Sequence, residues 1–411
     1  MSAALPARAA RPRRAVARLA DARGLVRLAV QGIAGVTAIA QGLHGNITAL
    51  APPLGAAPER PAGGIAGFVY GAVRAGSSLV GTALDSALAG LQALLPPDEA
   101  GSAPSPVRQA LVAALNGVLG DTLERTGNPL AIPMELRLPL EQRPHIVLLV
   151  HGLCMGDLQW TRAGHDHGTA LEEALGLSPV YVRYNSGRHV SVNGAELAAR
   201  LERLVRDWPV HVQSLAIVGH SMGGLVARSA VQQAQAADMA WPKRLRKMVF
   251  LGTPHHGAAL ERGGNWLHAV LGASPYLAPF TRLGRIRSDG ITDLRHGNLL
   301  ARDWRRGTYL HRDTRTAVPL PRRVGCYAVA GALGEGGFDQ ALGDGLVSVD
   351  SAFGRHPRPT QDLRFPASHT WVARGVHHLD LLSDPGVAQR LRRWLVPART
   401  RSAQPASAQE P

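Results

Sequence analysis

The chain has little cysteine. Cys154 and Cys326 are the two in 411 residues, and neither sits in a C-x-x-C pair. No disulfide framework and no thiolate zinc site is implied, and a reducing compartment fits. Long apolar runs are also missing. The nearest approach, LAVQGIAGVTAIAQGLHGNI from Leu28, is broken by Gly and Gln. A membrane span or the apolar segment of a signal peptide is more uniform. The default expectation is therefore a cytoplasmic protein. Acidic residues are outnumbered, 30 Asp and Glu against 45 Lys and Arg, for a net charge of +15. Such a balance favours anionic surfaces. Nevertheless there is no zinc-finger spacing or RNP-like strand, and no nucleic-acid partner is expected. No cofactor motif and no internal repeat is present.

What remains is the composition of a globular protein with a sizeable core: 45% hydrophobic, 18% charged, mean hydropathy −0.03. Residues 1–24 are Arg, Ala and Pro without periodicity and read as a disordered basic arm. Residues 25–49, 64–96 and 106–126 read as helices, so 25–130 is a helical N-terminal region. The first helix is amphipathic, and with the arm it fits peripheral contact with a membrane.

From about 131 the pattern changes. MELRLPLE alternates like a strand, and HIVLLVHGL is a buried strand running into a Gly turn. Then follow PVYVRYNSG (strand), NGAELAARLERLVRDW (amphipathic helix), SLAIVGHS (strand) and MGGLVARSAVQQAQA (helix). RKMVFLGTPHHG, RVGCYAVAGAL and HTWVARGVHH are further strands, and DPGVAQRLRRWLV is a last helix. Buried strands alternating with amphipathic helices predict an α/β domain over 131–396: a mostly parallel sheet covered on both faces. Residues 258–320 break the rhythm and read as an insertion between two core strands. The polar tail 397–411 is expected to be disordered.

In an open α/β sheet, functional groups gather beyond the C-terminal strand ends. Ser221 stands there, between the strand LAIVGH and a helix, with Gly219 and Gly223 two residues to either side. A serine at such a crossing fits a nucleophile elbow, where the helix N-terminus favours a developing oxyanion. Serine needs a base, and in this class the order is Ser, acid, His. Among the later histidines, 255/256 and 377/378 follow strands, and the first pair precedes any plausible acid. His378 is the choice, with His377 the runner-up. The acid that fits best is Asp344, between glycines after the strand RVGCYAVAGAL; Asp339 and Asp350 are alternatives. The oxyanion donors are expected from the backbone N–H groups of Met222 and Leu153. Three other features read as structural or solvated: the HDH triplet at 165–167, Cys154 near the oxyanion turn, and Arg287, Asp289 and Asp293 as an ion-pair cluster bracing the insertion.

HGL, GHSMGG, LGTPHHG, GDGLVS and HHLD, in that order, resemble the α/β-hydrolase lipases, most closely the bacterial lipase and GPI-inositol-deacylase-like branch. The resemblance covers about 145–395. It implies the α/β-hydrolase fold, ester hydrolysis through an acyl-serine, and the triad Ser221, Asp344 and His378. It makes 258–320 a lid over an acyl pocket and the partner a small-molecule or lipid ester. Asp380 falls where some of these lipases hold a calcium ligand, but no matching acid is apparent and no metal is expected. The alternatives are an acyltransferase or thioesterase with the same triad, or a non-catalytic membrane-associated protein on the same fold.

Overall fold

The computed structural model describes residues 106–257, 288–305, 315–334 and 343–397. The arm, the helices expected at 25–49 and 64–96, and the tail after 397 lie outside the described residues. So do 258–287 and 306–314 of the insertion. The chain divides into two units, Met1–Ser105 with Leu123–Ala131, and Pro106–Thr122 with Ile132–Pro411. The second holds the sheet and is the one described below.

Seven strands form one sheet: β1 (Glu135–Arg137), β2 (His145–Val150), β5 (Ser178–Arg183), β6 (Ser214–His220), β7 (Leu245–Leu251), β8 (Gly325–Ala332) and β9 (Thr370–Arg374). Their spatial order is β1-β5-β2-β6-β7-β8-β9. β1 pairs with β5 antiparallel, and every other pair is parallel. β3 (Thr161–Arg162) and β4 (His165–Asp166) make a separate two-stranded hairpin. The described helices are α1 (Pro106–Arg125), α2 (His167–Leu175), α3 (Val190–Asp207), α4 (Met222–Ala236), α5 (Asp289–His296), α6 (Ala301–Arg305), α7 (Val349–Ala352) and α8 (Pro385–Leu395).

Both faces of the sheet are buried, because the strands are apolar at consecutive positions. In β2, Ile146, Leu148 and Val150 enter one core with Leu197 and Leu201 of α3 and Leu225, Val226 and Ala230 of α4. Val147 and Leu149 point the other way, toward Leu171 of α2 and Val387, Leu391 and Trp394 of α8. Alternation of side chains along a strand sends successive residues to opposite layers. A parallel sheet needs that double cover. Each fully buried Leu or Val contributes about 1.5–3 kcal/mol, so truncation of Leu149 in this layer costs about 2–5 kcal/mol.

Among the described residues, the strands and helices expected over 131–396 are in place, with two shifts of boundary. β1 is three residues long, because Leu138 turns outward and Pro139 follows. α3 begins at Val190, before the apolar period starts, where the side chain of buried Asp293 accepts the Val190 N–H at 2.8 Å. That tertiary acceptor extends the helix by satisfying a terminal donor. In the described parts of the insertion, Ser288 caps α5 through the Ile291 N–H. Asp289 and Asp293 both face His189, at 3.4 and 3.0 Å. Of the expected ion-pair cluster, the two acids thus meet His189, and Arg287 lies outside the described residues.

Candidate active site

Ser221 joins β6 to α4 at φ +52° and ψ −123°. A side chain is seldom found at such a φ, and holding one there costs about 1–3 kcal/mol. The surrounding structure fixes it. The Ser221 N–H donates to the Leu251 carbonyl at 2.8 Å, and the Gly224 N–H donates to the Ser221 carbonyl at 3.1 Å. The crossing is tight enough to exclude side chains: a Cβ on Gly219 would lie 2.6 Å from Gly224 Cα, and one on Gly223 would strike the Val150 carbonyl. The glycines clear the elbow, as their spacing predicts.

Two other strand ends meet the serine, and a third meets His378. Gly152, beyond β2, sits so close that an added Cβ would be 3.1 Å from Ser221 Cβ. Leu251 at the end of β7 binds the Ser221 N–H, and an added Cβ on Gly252 would be 3.0 Å from Cε1 and Nδ1 of His378. The histidine ring and the elbow therefore rest against the same corner of chain. Beyond β8, Asp344 Oδ2 lies 2.7 Å from His378 Nδ1. Asp344 Oδ1 accepts the N–H groups of Leu346 at 3.0 Å and Val347 at 2.8 Å, and the His378 N–H donates to the Asp344 carbonyl at 3.2 Å. A carboxylate only accepts here, so Nδ1 carries the proton and Nε2 keeps its lone pair. All three side chains are buried: Ser221 7%, Asp344 2% and His378 5% exposed.

Of the alternatives, His377 is exposed. Asp350 pairs with Arg355 at 2.9 Å on the surface, and Asp339 lies outside the described residues. Leu153 and Met222, the expected oxyanion donors, are both buried. Among the described residues no protein acceptor takes the N–H of either one. Met222 is the first residue of α4, so its N–H is one of the free donors of a helix N-terminus.

The remaining candidates have other work. His165 Nε2 donates to His167 Nδ1 at 2.8 Å, and His167 Nε2 donates to the Leu381 carbonyl at 2.9 Å. This chain ties the β3–β4 hairpin to the loop that carries His378. Asp380 pairs with Arg162 at 2.9 Å. Among the described residues no group of three His, Cys, Asp or Glu is placed to hold a metal ion. Burial pushes the Cys154 thiol up to about 12, which suppresses its thiolate. His255 is buried and accepts from Arg228 Nη1 at 3.2 Å. Arg228 Nη2 also donates to the Val318 carbonyl, and burial pushes its guanidinium down to about 9.

Two contributions escape the sequence reading. α1 backs the oxyanion turn: an added Cβ on Gly117 would strike Cys154, and Asn185 Nδ2 donates to the Gly120 carbonyl at 2.9 Å. The paired glycines of NGVLG were the available signal. His220, the residue before the serine, donates from Nε2 to the His378 carbonyl at 3.1 Å.

A doubly covered parallel sheet, with serine on a strand-to-helix elbow at its upper edge, is the α/β-hydrolase fold. Residues 122–271 match the model of a family described as a domain of unknown function, DUF7379. No curated protein matches the chain. Among solved structures, the chain is similar to a mature lipase of Bacillus licheniformis at 21% identity, over 64% of this chain and 98% of that one, TM-score 0.42. A lipase-esterase related protein of Clostridium acetobutylicum is 13% identical over 63% and 98%, TM-score 0.37. A type II thioesterase of the yersiniabactin pathway is 16% identical over 63% and 94%, TM-score 0.40. At these values the strand order and the elbow, rather than the neighbours, define the fold.

Proposed function

We propose that the chain is a serine ester hydrolase of the lipase and esterase kind. Ser221 is its nucleophile, His378 the general base and acid, and Asp344 the residue that orients the imidazole. The observation that carries this reading is the buried 2.7 Å bond from His378 Nδ1 to Asp344, beside a serine held at positive φ. With Nδ1 protonated, His378 Nε2 is free to take the Ser221 proton as Oγ attacks an ester carbonyl. The imidazolium then returns that proton to the departing alkoxide, leaving an acyl-serine. Water, deprotonated by the same nitrogen, releases the acid. The N–H groups of Leu153 and Met222 receive the charge that builds on the carbonyl oxygen, a contribution of about 3–4 kcal/mol per donor. The lipase-like motifs favour an apolar acyl group.

The test is labelling of the full chain with a fluorophosphonate probe, followed by rates on p-nitrophenyl esters of two to sixteen carbons. Stoichiometric label on Ser221, lost in Ser221→Ala together with ester turnover, is the expected result. Full esterase activity in Ser221→Ala would end the proposal.

A further inference from the structure

His220 is buried completely at the point where three loops of the site converge. Its Nε2 donates to the main-chain carbonyl of His378 at 3.1 Å. A carbonyl accepts only, so the one proton of the neutral ring is on Nε2, and Nδ1 is left as a lone pair. Nδ1 is buried without a partner. It faces the oxyanion turn: an added Cβ on Gly152 would lie 3.1 Å from it and equally close to Ser221 Cβ. The ring also lies 4.8 Å, centroid to centroid, from the ring of His378, and meets Trp160 edge-on at 6.4 Å. One side chain therefore touches the elbow strand, the turn after β2 and the loop after β9.

From this placement we infer that His220 is a positioning residue for the reaction proposed above, setting the main chain of His378, and so the reach of its Nε2 toward Ser221, through the bond to the His378 carbonyl. The inference rests on that reading of Ser221 and His378. The Asp344 side-chain bond fixes the direction of the His378 ring. The His378 N–H and carbonyl are pinned by different elements, by Asp344 beyond β8 and by His220 at the end of β6. Together they fix the backbone on both sides of the catalytic ring. A displacement of about 1 Å at a reacting group can cost a hundredfold in rate. The bond links two residues 158 positions apart and adjoins the elbow directly. Its alternative, a bare carbonyl next to a buried ring, leaves two polar groups unsatisfied.

Three variants of the full chain test this: His220→Gln, whose amide nitrogen reaches as far as Nε2; His220→Asn, whose amide reaches only as far as Nδ1; and His220→Leu, which has no donor. The readouts are the fluorophosphonate labelling rate, kcat and KM on a soluble p-nitrophenyl ester, the acid limb of the kcat/KM profile, and near-UV circular dichroism. His220→Leu and His220→Asn are expected to lose tenfold or more in kcat and labelling rate, with KM within about twofold. Their acid limb should move, because it reports the protonation of His378. His220→Gln should recover most of the rate and the wild-type limb. If His220→Leu fails to fold, the Gln and Asn pair decides, since both keep an amide in the slot and differ in reach. Wild-type kcat and acid limb in a folded His220→Leu or His220→Asn overturn the inference, as does a His220→Gln no better than His220→Asn. Absence of label on wild-type Ser221 overturns the reading beneath it, an outcome distinct from a labelled wild type with indifferent His220 variants.

Discussion

Asp344 spends its whole carboxylate on orientation: Oδ2 takes the His378 Nδ1–H at 2.7 Å, and Oδ1 takes two backbone N–H groups. Replacement by Asn keeps the shape but presents an amide N–H or a weaker acceptor to Nδ1. The imidazole then turns its proton toward Ser221 and cannot act as a base. On the proposed mechanism, Asp344→Asn should lower kcat/KM by about 10³–10⁴. Ester kinetics beside a thermal melt check it: a large loss of rate with a Tm close to wild type is the expected pairing.

Gly152→Ala tests the oxyanion turn. The new Cβ would meet Ser221 Cβ and His220 Nδ1 at 3.1 Å, tighter than ordinary contact, with Met155 Sδ at 3.4 Å behind it. The turn must back away from the elbow by a few tenths of an ångström, carrying the Leu153 N–H with it. A fall in kcat of about ten- to a hundredfold is expected, with KM on a soluble ester little changed. Unaltered kcat would show that this N–H does not face the reacting carbonyl.

Much of this was legible because strand and helix periods are local signals. The bounds of β6 and α4 follow from an apolar run, a Gly-x-Ser-x-Gly turn and a 3.6-residue pattern, all within 23 residues. Asp344 and His378 stand out by their place after strands, since sheet topology sends strand ends to one edge. Other features were not legible. The His167 bond to the Leu381 carbonyl and the Arg228 bond to the Val318 carbonyl join residues 214 and 90 positions apart. Each acceptor is a backbone group, which carries no residue-type signature. The HDH triplet is likewise a local pattern whose meaning is set by a distant carbonyl.

The Arg162–Asp380 pair separates an ion pair from a calcium site. Both side chains are about two-fifths exposed, 41% and 42%, so solvent screens the pair. Its removal in Asp380→Asn should cost less than about 1 kcal/mol. Ester turnover is expected to be equal with EDTA and with added calcium, in wild type and variant alike. Loss of activity on chelation, restored by calcium, would place a metal at this loop.

His151 and His167 make stability depend on pH. Burial pushes both down to about 4, from an ordinary value of 6.5. For His151 burial outweighs the Nδ1–H bond to the Gly152 carbonyl at 2.8 Å, which favours the charged ring, and the neutral Nε2 accepts the Tyr184 N–H. His167 sits between His165 and the Leu381 carbonyl. Between pH 6.5 and 4 the unfolded chain binds protons that the folded chain refuses, so stability falls as pH falls through that window and levels off below it. Each tenfold loss of proton affinity on folding corresponds to about 1.4 kcal/mol, so each ring accounts for on the order of 3 kcal/mol. Urea midpoints at pH 7.5, 6, 5 and 4 should decline steadily. His167→Gln, with an amide in place of the ring, should flatten the decline by its own share only, because His220, His255 and His256 are also held below 6.5 by burial and keep the rest. A midpoint that stays constant from pH 7.5 to 4 would mean that neither ring is buried in the neutral form.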